Sequence, residues 1–179
     1  MEYVVLTKNN YIDIALHTFI DNIQPRKCCC FIDVDSYMTL KEMTESIKGI
    51  KEREKYSYFL ISGQSICSKV LRRISSIERN ACLSVYKHNI AHGKGKTYAE
   101  IVGFIESCQN LEVMTIKEIQ LAKLFVKYKT IKKVSIVLNT SQKTLYTREN
   151  MMAKKLCLSG SLQLRRFINN EIMLYEINK

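Results

Sequence analysis

The hydrophobic pattern of this 179-residue chain changes character once, between Glu106 and Val113. That change narrows the fold to an α/β unit followed by an all-helical one. Ahead of it, short apolar runs alternate with stretches of helical period. Tyr3-Val4-Val5-Leu6 reads as a buried strand, and Ile12, Ala15, Leu16, Phe19, Ile20 and Ile23 recur at helical spacing. Cys28–Ile32 is a second apolar run ending in Asp33; Met38, Met43 and Ile47 predict a helix, and Tyr58–Ile61 a strand. Val70, Ile74 and Ile77 predict a further short helix, Cys82–Tyr86 a strand, and Tyr98–Cys108 a closing helix. Strands alternating with helices imply a parallel sheet layered by helices. Past Val113 only helical spacing remains.

Charge divides the chain in the same way. The net charge is +11, and residues 111–179 carry 13 Lys/Arg against 5 Asp/Glu, whereas residues 1–110 carry 15 against 12. An excess of cations at one end suits a chain that meets a polyanion there. Seven cysteines form no C-x-x-C pair, and the three histidines show no ligand spacing with them. A zinc site and a disulfide scaffold are therefore not expected, and the thiols read as reduced, core-packed groups in a cytoplasm. No apolar stretch approaches the ~20 residues that span a bilayer, and the N-terminus has no signal-peptide pattern. No cofactor is implied. Glycine and proline are scarce: the lone Pro25 follows the first helical stretch, and His92-Gly93-Lys94-Gly95-Lys96, without P-loop spacing after it, reads as a basic connecting loop.

In the helical part, Leu121, Leu124, Phe125 and Tyr128 share one face, Ile131, Val134 and Leu138 a second, and Leu145, Met152 and Leu156 a third. Asn139 tolerates the left-handed conformation that ends a helix, and Ser141 is a good N-cap for the next. Three short helices with a tight turn before the last make a helix-turn-helix core. On the third helix Lys143, Tyr146, Thr147, Asn150 and Lys154 cluster opposite the apolar face. Amides and cations there can read base edges, and hydroxyls and cations can hold phosphates.

Met114-Thr115-Ile116-Lys117-Glu118 resembles the L-T-x-R/K-E opening of LuxR-type DNA-binding domains. Ser141-Gln142-Lys143-Thr144-Leu145 with Lys155-Leu156 resembles the S-x-K-T-V…K-L recognition helix of that family, in register and without a gap. The resemblance implies base-edge contacts at Tyr146, Thr147 and Asn150, and phosphate contacts at Lys143, Thr144 and Lys154, with Arg148 replacing the usual His. It implies a fourth helix near Leu162–Asn169 that supplies a dimer contact. Departures from the family are Tyr128 and Asn139 in place of Gly, Ser135 in place of Ala, Met151 in place of Asn, and Glu149 on the inward side where an apolar residue is common.

A LuxR-type module behind an α/β domain is similar to response regulators. Their receivers carry a phosphoacceptor Asp after the third strand and an acidic, Mg²⁺-holding pair after the first. A Ser/Thr follows the fourth strand and a Lys the fifth. Asp33 or Asp35, Ser62 and Lys87 match three of these in order, but Leu6 is followed by Thr7-Lys8-Asn9-Asn10, without a carboxylate. The chain between Leu6 and Cys28 is too short for a helix plus a second strand. The expected architecture is therefore a shortened, doubly wound parallel sheet over residues 1–108, a pseudo-receiver, and a four-helix LuxR-type module over residues 109–179. The layout resembles small enterobacterial regulators of fimbriae and virulence traits, through Lys143–Arg148 and Phe31-Ile32-Asp33. It implies a non-enzymatic, phosphorylation-independent transcription regulator, cytoplasmic and nucleoid-associated when bound to promoter DNA. The protein would act as a homodimer or as a heterodimer with another LuxR-type regulator. The alternatives are an interaction protein that modulates such a regulator, and a phosphoryl-accepting response regulator.

Overall fold

The computed structural model of the protein describes residues 2–23, 27–92 and 95–176, with side chains as far as Glu171. Pro25, and Gly93 and Lys94 of the basic loop, lie outside the described residues. The chain divides into two compact units, Met1–Glu106 and Ser107–Lys179.

The first unit is built on a parallel sheet of four strands in chain order: β1 (Tyr3–Leu6), β2 (Cys29–Asp33), β3 (Ser57–Ser62) and β4 (Ile77–Glu78). Helices α1 (Asn10–Ile23), α2 (Leu40–Lys48) and α3 (Ile66–Val70) connect the strands, and α4 (Leu83–Ala91) and α5 (Tyr98–Gln109) follow them. Cys29 stands opposite Tyr3 on one side and Ser57 on the other, so β2 is paired along both edges. It is buried throughout, as an inner parallel strand covered on both faces must be. Leu16 and Ile20 of α1 and Tyr86 and Ile90 of α4 pack over Phe31, Phe59 and Ile61 on one face, where the Phe31 and Phe59 rings stack at 5.3 Å. Alternation along the strands sends Cys30, Ile32, Tyr58 and Leu60 to the other face. There the Tyr58 ring meets Tyr98 of α5 at 6.2 Å, and Lys48 of α2 pairs with Glu106 of α5 at 2.8 Å.

The steps from β1 to β2 and from β2 to β3 thus advance in one direction, while α1 and α2 cover opposite faces. Two successive crossovers have opposite hands, although such connections are right-handed in about 98% of cases. As expected from the short span between Leu6 and Cys28, α1 leads directly into the next strand, with no further strand between them.

Two expectations about the strands are corrected. Cys82–Tyr86 is not a strand: Cys82 is the N-cap of α4, and Tyr86 and Ile90, four residues apart, turn that helix's apolar side to the sheet. The fourth strand is Ile77–Glu78, too short to register as a period, and Ile77 belongs to it rather than to the preceding helix, which stops at Val70. Lys96 pairs antiparallel with Tyr58 and covers the part of the β3 edge that the short β4 leaves open. A Cβ on Gly95 would lie 2.9 Å from the Ser57 Cβ, so this close approach requires glycine.

The second unit holds α6 (Ile116–Tyr128), α7 (Ile131–Val137), α8 (Gln142–Lys155) and α9 (Ser161–Glu176). Leu121, Phe125, Val134, Leu145, Met152, Leu164 and Phe167 are its buried centre. Leu138, expected on the inner face of α7, is the C-cap residue and stays 37% exposed.

Candidate functional site

The two segments that resemble the LuxR-type motif meet in space. Thr115 caps α6 through a hydrogen bond accepted from the Glu118 amide, and the Glu118 carboxylate accepts from the Thr115 amide at 2.7 Å, a reciprocal capping box. The same carboxylate accepts from Lys155 Nζ at 2.7 Å, tying the start of α6 to the end of α8. These residues fix the start of α6 and the end of α8. Lys129 (φ 57°) and Asn139 (φ 45°) take the left-handed conformation at the turns after α6 and α7. Ser141 then caps α8, accepting from the Thr144 amide at 3.1 Å. The turn into α8 is therefore set by its own sequence.

The seven residues singled out on α8 are all exposed: Lys143, Thr144, Tyr146, Thr147, Arg148, Asn150 and Lys154. They fall into two groups. Lys143, Tyr146, Thr147, Asn150 and Lys154 lie on the side away from the buried Leu145 and Met152. Thr144 and Arg148, four residues apart, lie on the flank, where Arg148 and Met151 border a hollow with Thr115, Lys117 and Leu121 of α6. Two hydroxyls are engaged locally: Thr147 Oγ1 donates to the Lys143 carbonyl at 3.1 Å, and Thr144 Oγ1 lies 2.8 Å from Ser141 Oγ. The Tyr146 phenol, the Asn150 amide and the ammonium groups of Lys143 and Lys154 have no hydrogen-bond partner among the described residues.

Glu149, the departure on the inward side, is fully buried. Arg165 of α9 donates to it twice, Nε to Oε1 at 2.6 Å and Nη2 to Oε2 at 2.9 Å. The guanidinium also lies 5.2 Å from the centre of the Phe125 ring of α6. One bidentate pair thus joins three helices behind the exposed face of α8. Sequence spacing flagged Glu149 but gave no sign of its partner.

In the first unit, the carboxyl ends of the strands bring together Thr7, Asp33, Asp35, Ser62 and Arg79. Asp33 is fully buried, and its Oδ2 accepts from Thr7 Oγ1 at 2.9 Å and Ser36 Oγ at 2.7 Å. Asp35 points to the β3–α3 loop, accepting from the Gln64 amide at 3.0 Å, the Ser65 amide at 3.1 Å and Ser68 Oγ at 2.6 Å. Arg79 reaches it at 3.4 Å. A Cβ on Gly63 would fall 1.9 Å from Asp35 Oδ2, so the loop needs glycine to admit the carboxylate. Lys87, expected after the last strand, sits exposed on α4 instead; the cation that follows the strand is Arg79. The Mg²⁺ ion implied by the receiver resemblance does not fit these residues. Thr7 is spent on Asp33, and Lys8 places a cation beside the site, bonded to Glu42 and 5.6 Å from the Tyr37 ring centre. The hard oxygen ligands that such an ion needs are not assembled.

Burial raises the pKa of Asp35, but the hydrogen bonds from Ser65, Ser68 and Gln64 outweigh it and hold the group at about 2. A pKa lowered on folding adds stability that is present above the ordinary carboxylate range and lost as pH falls from about 4 to about 2. Asp35→Asn is expected to cost roughly 2 kcal/mol at neutral pH. Urea titrations should show that gap closing towards pH 2; a gap that stays constant would show that the carboxylate charge is not what the loop uses. Cys29 and Cys30 are buried core thiols, their pKa values pushed by burial up to about 11 and about 12.

No family model matches the sequence, and no curated protein matches it. Solved structures do. A DNA complex of the two-component response regulator RcsB is similar at 13% identity with a TM-score of 0.61, over 94% of this chain and 97% of that one. The RcsB response regulator of Salmonella typhimurium is similar at 11% identity with a TM-score of 0.50, over 94% and 98%. The likeness is one of fold: a receiver-type α/β unit with a parallel four-stranded sheet, followed by a helix-turn-helix unit.

Proposed function

We propose that the protein is a sequence-specific transcription regulator that binds double-stranded DNA through α8, acting by binding rather than catalysis. The observation that carries this reading is the exposed face of α8, held from behind by the Glu149–Arg165 pair and from its ends by Ser141 and the Glu118–Lys155 pair. A rigid helix presenting an amide, a phenol and cations is what the major groove accepts. The fold likeness to RcsB, one of whose solved structures is a DNA complex, agrees with it. In this reading Tyr146, Thr147 and Asn150 meet base edges, and Lys143, Thr144, Arg148 and Lys154 meet phosphates. Two copies would pair through α9, where Leu162 is 64% exposed, to read a two-fold site in the cytoplasm. The finer grouping with enterobacterial regulators of fimbriae and virulence rests on Lys143–Arg148 and Phe31–Asp33.

Chromatin immunoprecipitation of the tagged protein tests the function: enrichment at discrete promoters is expected. A signal that depends entirely on another LuxR-type regulator would favour the modulator reading instead. Asn150→Ala is expected to weaken binding to the enriched site by ~1–3 kcal/mol while leaving random DNA nearly unaffected. Equal losses on both would show that Asn150 does not read bases.

The first unit is proposed to work without phosphorylation. Asp33 has no exposed surface, two hydroxyls hold one of its oxygens, and Leu6 is followed by Thr7-Lys8-Asn9-Asn10 without a carboxylate. Incubation with a small phosphodonor and Mg²⁺ should leave the intact mass unchanged. A phosphate-sized gain that vanishes in Asp33→Ala would overturn this and restore a phosphoryl-accepting regulator.

A further inference from the structure

A second concave site lies in the first unit, away from α8. It is a hollow of about 330 Å³ at the carboxyl ends of β3 and β4, the end at which open parallel sheets bind their ligands. Its size falls within the range of small-molecule pockets. Lys69 on α3 and Arg72 just after it supply two cations, against the single carboxylate of Glu78. Neither cation enters an ion pair among the described residues. Asn80 and Ser76 add neutral polar groups to the wall.

The floor holds a further sign. Ser62, the last residue of β3, is only 8% exposed, and its hydroxyl has no hydrogen-bond partner among the described residues. A buried hydroxyl without a partner costs about 1–3 kcal/mol, which a polar ligand, or a water trapped beneath one, would recover. The wall beside it is preformed. Asp35 holds the Gln64 and Ser65 amides and Ser68 Oγ, so those donors are already used and the loop keeps its shape. What faces the hollow is therefore the pair of side-chain cations with Ser76, Glu78 and Asn80, above the buried Ser62 hydroxyl.

We propose that this hollow binds a small organic anion through its phosphate or carboxylate head group, with Lys69 and Arg72 as the charge partners. Arg72 offers a planar fork that matches either oxyanion with two hydrogen bonds, and Lys69 a point charge beside it. The site makes the first unit a sensor of a soluble anion, and the proposal does not depend on DNA binding by α8.

The test is a titration of the ¹⁵N-labelled full chain, followed by amide shifts, with inorganic phosphate and separately with succinate, each against sodium chloride of equal ionic strength. Saturable shifts at Ser62, Lys69, Arg72 and Asn80 are expected, absent with chloride. Saturation by phosphate alone assigns phosphate esters, by succinate alone carboxylates, and by both an oxyanion site that accepts either. Arg72→Glu, an exposed position whose dispersed spectrum will report an intact fold, should weaken the effective probe at least about tenfold, and Lys69→Ala should act in the same direction. Linear shifts with both probes, or shifts undiminished in these folded variants, would overturn the proposal.

Discussion

Arg165→Leu should destabilise the second unit by about 3–5 kcal/mol, because it strands the Glu149 carboxylate in the interior without a counter-charge. Glu149 has no exposed surface, whereas the Arg165 side chain is 25% exposed. The two halves of the pair should therefore not behave alike. Glu149→Leu leaves a guanidinium that can turn towards water while still covering the Phe125 ring, and its cost should be clearly smaller. The double replacement should recover most of the loss, since a buried pair exchanged for apolar groups of similar size is often neutral or stabilising. Urea titrations read from amide resonances of α8 and α9 would measure this. A loss within 0.5 kcal/mol for Arg165→Leu would mean that the pair is incidental to the packing.

Salt should act on DNA affinity as strongly. If each of two copies places Lys143, Arg148 and Lys154 on phosphates, about six counter-ions are released, giving a log–log slope near −5. Between 50 and 200 mM salt the affinity should then fall about 10³-fold. Lys143→Ala should reduce the slope by about one per copy and weaken specific and random sites alike, unlike Asn150→Ala. A flat dependence over this range would sink direct DNA binding by this face.

What could be read in advance, and what could not, follows from the reach of each signal. The helices whose apolar residues repeat over three turns, such as α1 with Leu16 and Ile20, show themselves in their own sequence. The turn into α8 is equally local, since Asn139 and Ser141 act through backbone preference and capping. The two-residue β4 does not show, because no period fits in two positions, and Cys82–Tyr86 has the apolar density of a strand although Tyr86 and Ile90 pack as a helix face. Lys87 follows that apolar run rather than a strand, and the cation after β4 is Arg79. Glu149 departs from the apolar pattern of its face, and its partner lies 16 residues away on another helix, beyond the reach of local spacing. Asp35 could not be told from Asp33 by sequence; only the loop at Gly63–Ser68, folded onto one of them, separates their roles.

The opposite-handed crossovers have a consequence for aggregation. Leading α1 directly into β2 leaves β1 at the border of the sheet, a position that in a receiver would be shielded by a further strand. A border strand can recruit another chain through its free backbone groups. Tyr3-Val4-Val5-Leu6 is apolar enough to invite that, yet it is only four residues long and is bracketed by charges that are themselves tied down. Glu2 accepts from Lys55 at 2.5 Å and from the Tyr56 hydroxyl at 2.6 Å, and Lys8 is bonded to Glu42. Brevity and anchored charges at both ends work against growth of the sheet by self-association, so Glu2 and Lys8 are the positions where neutral substitutions should first show as lost solubility.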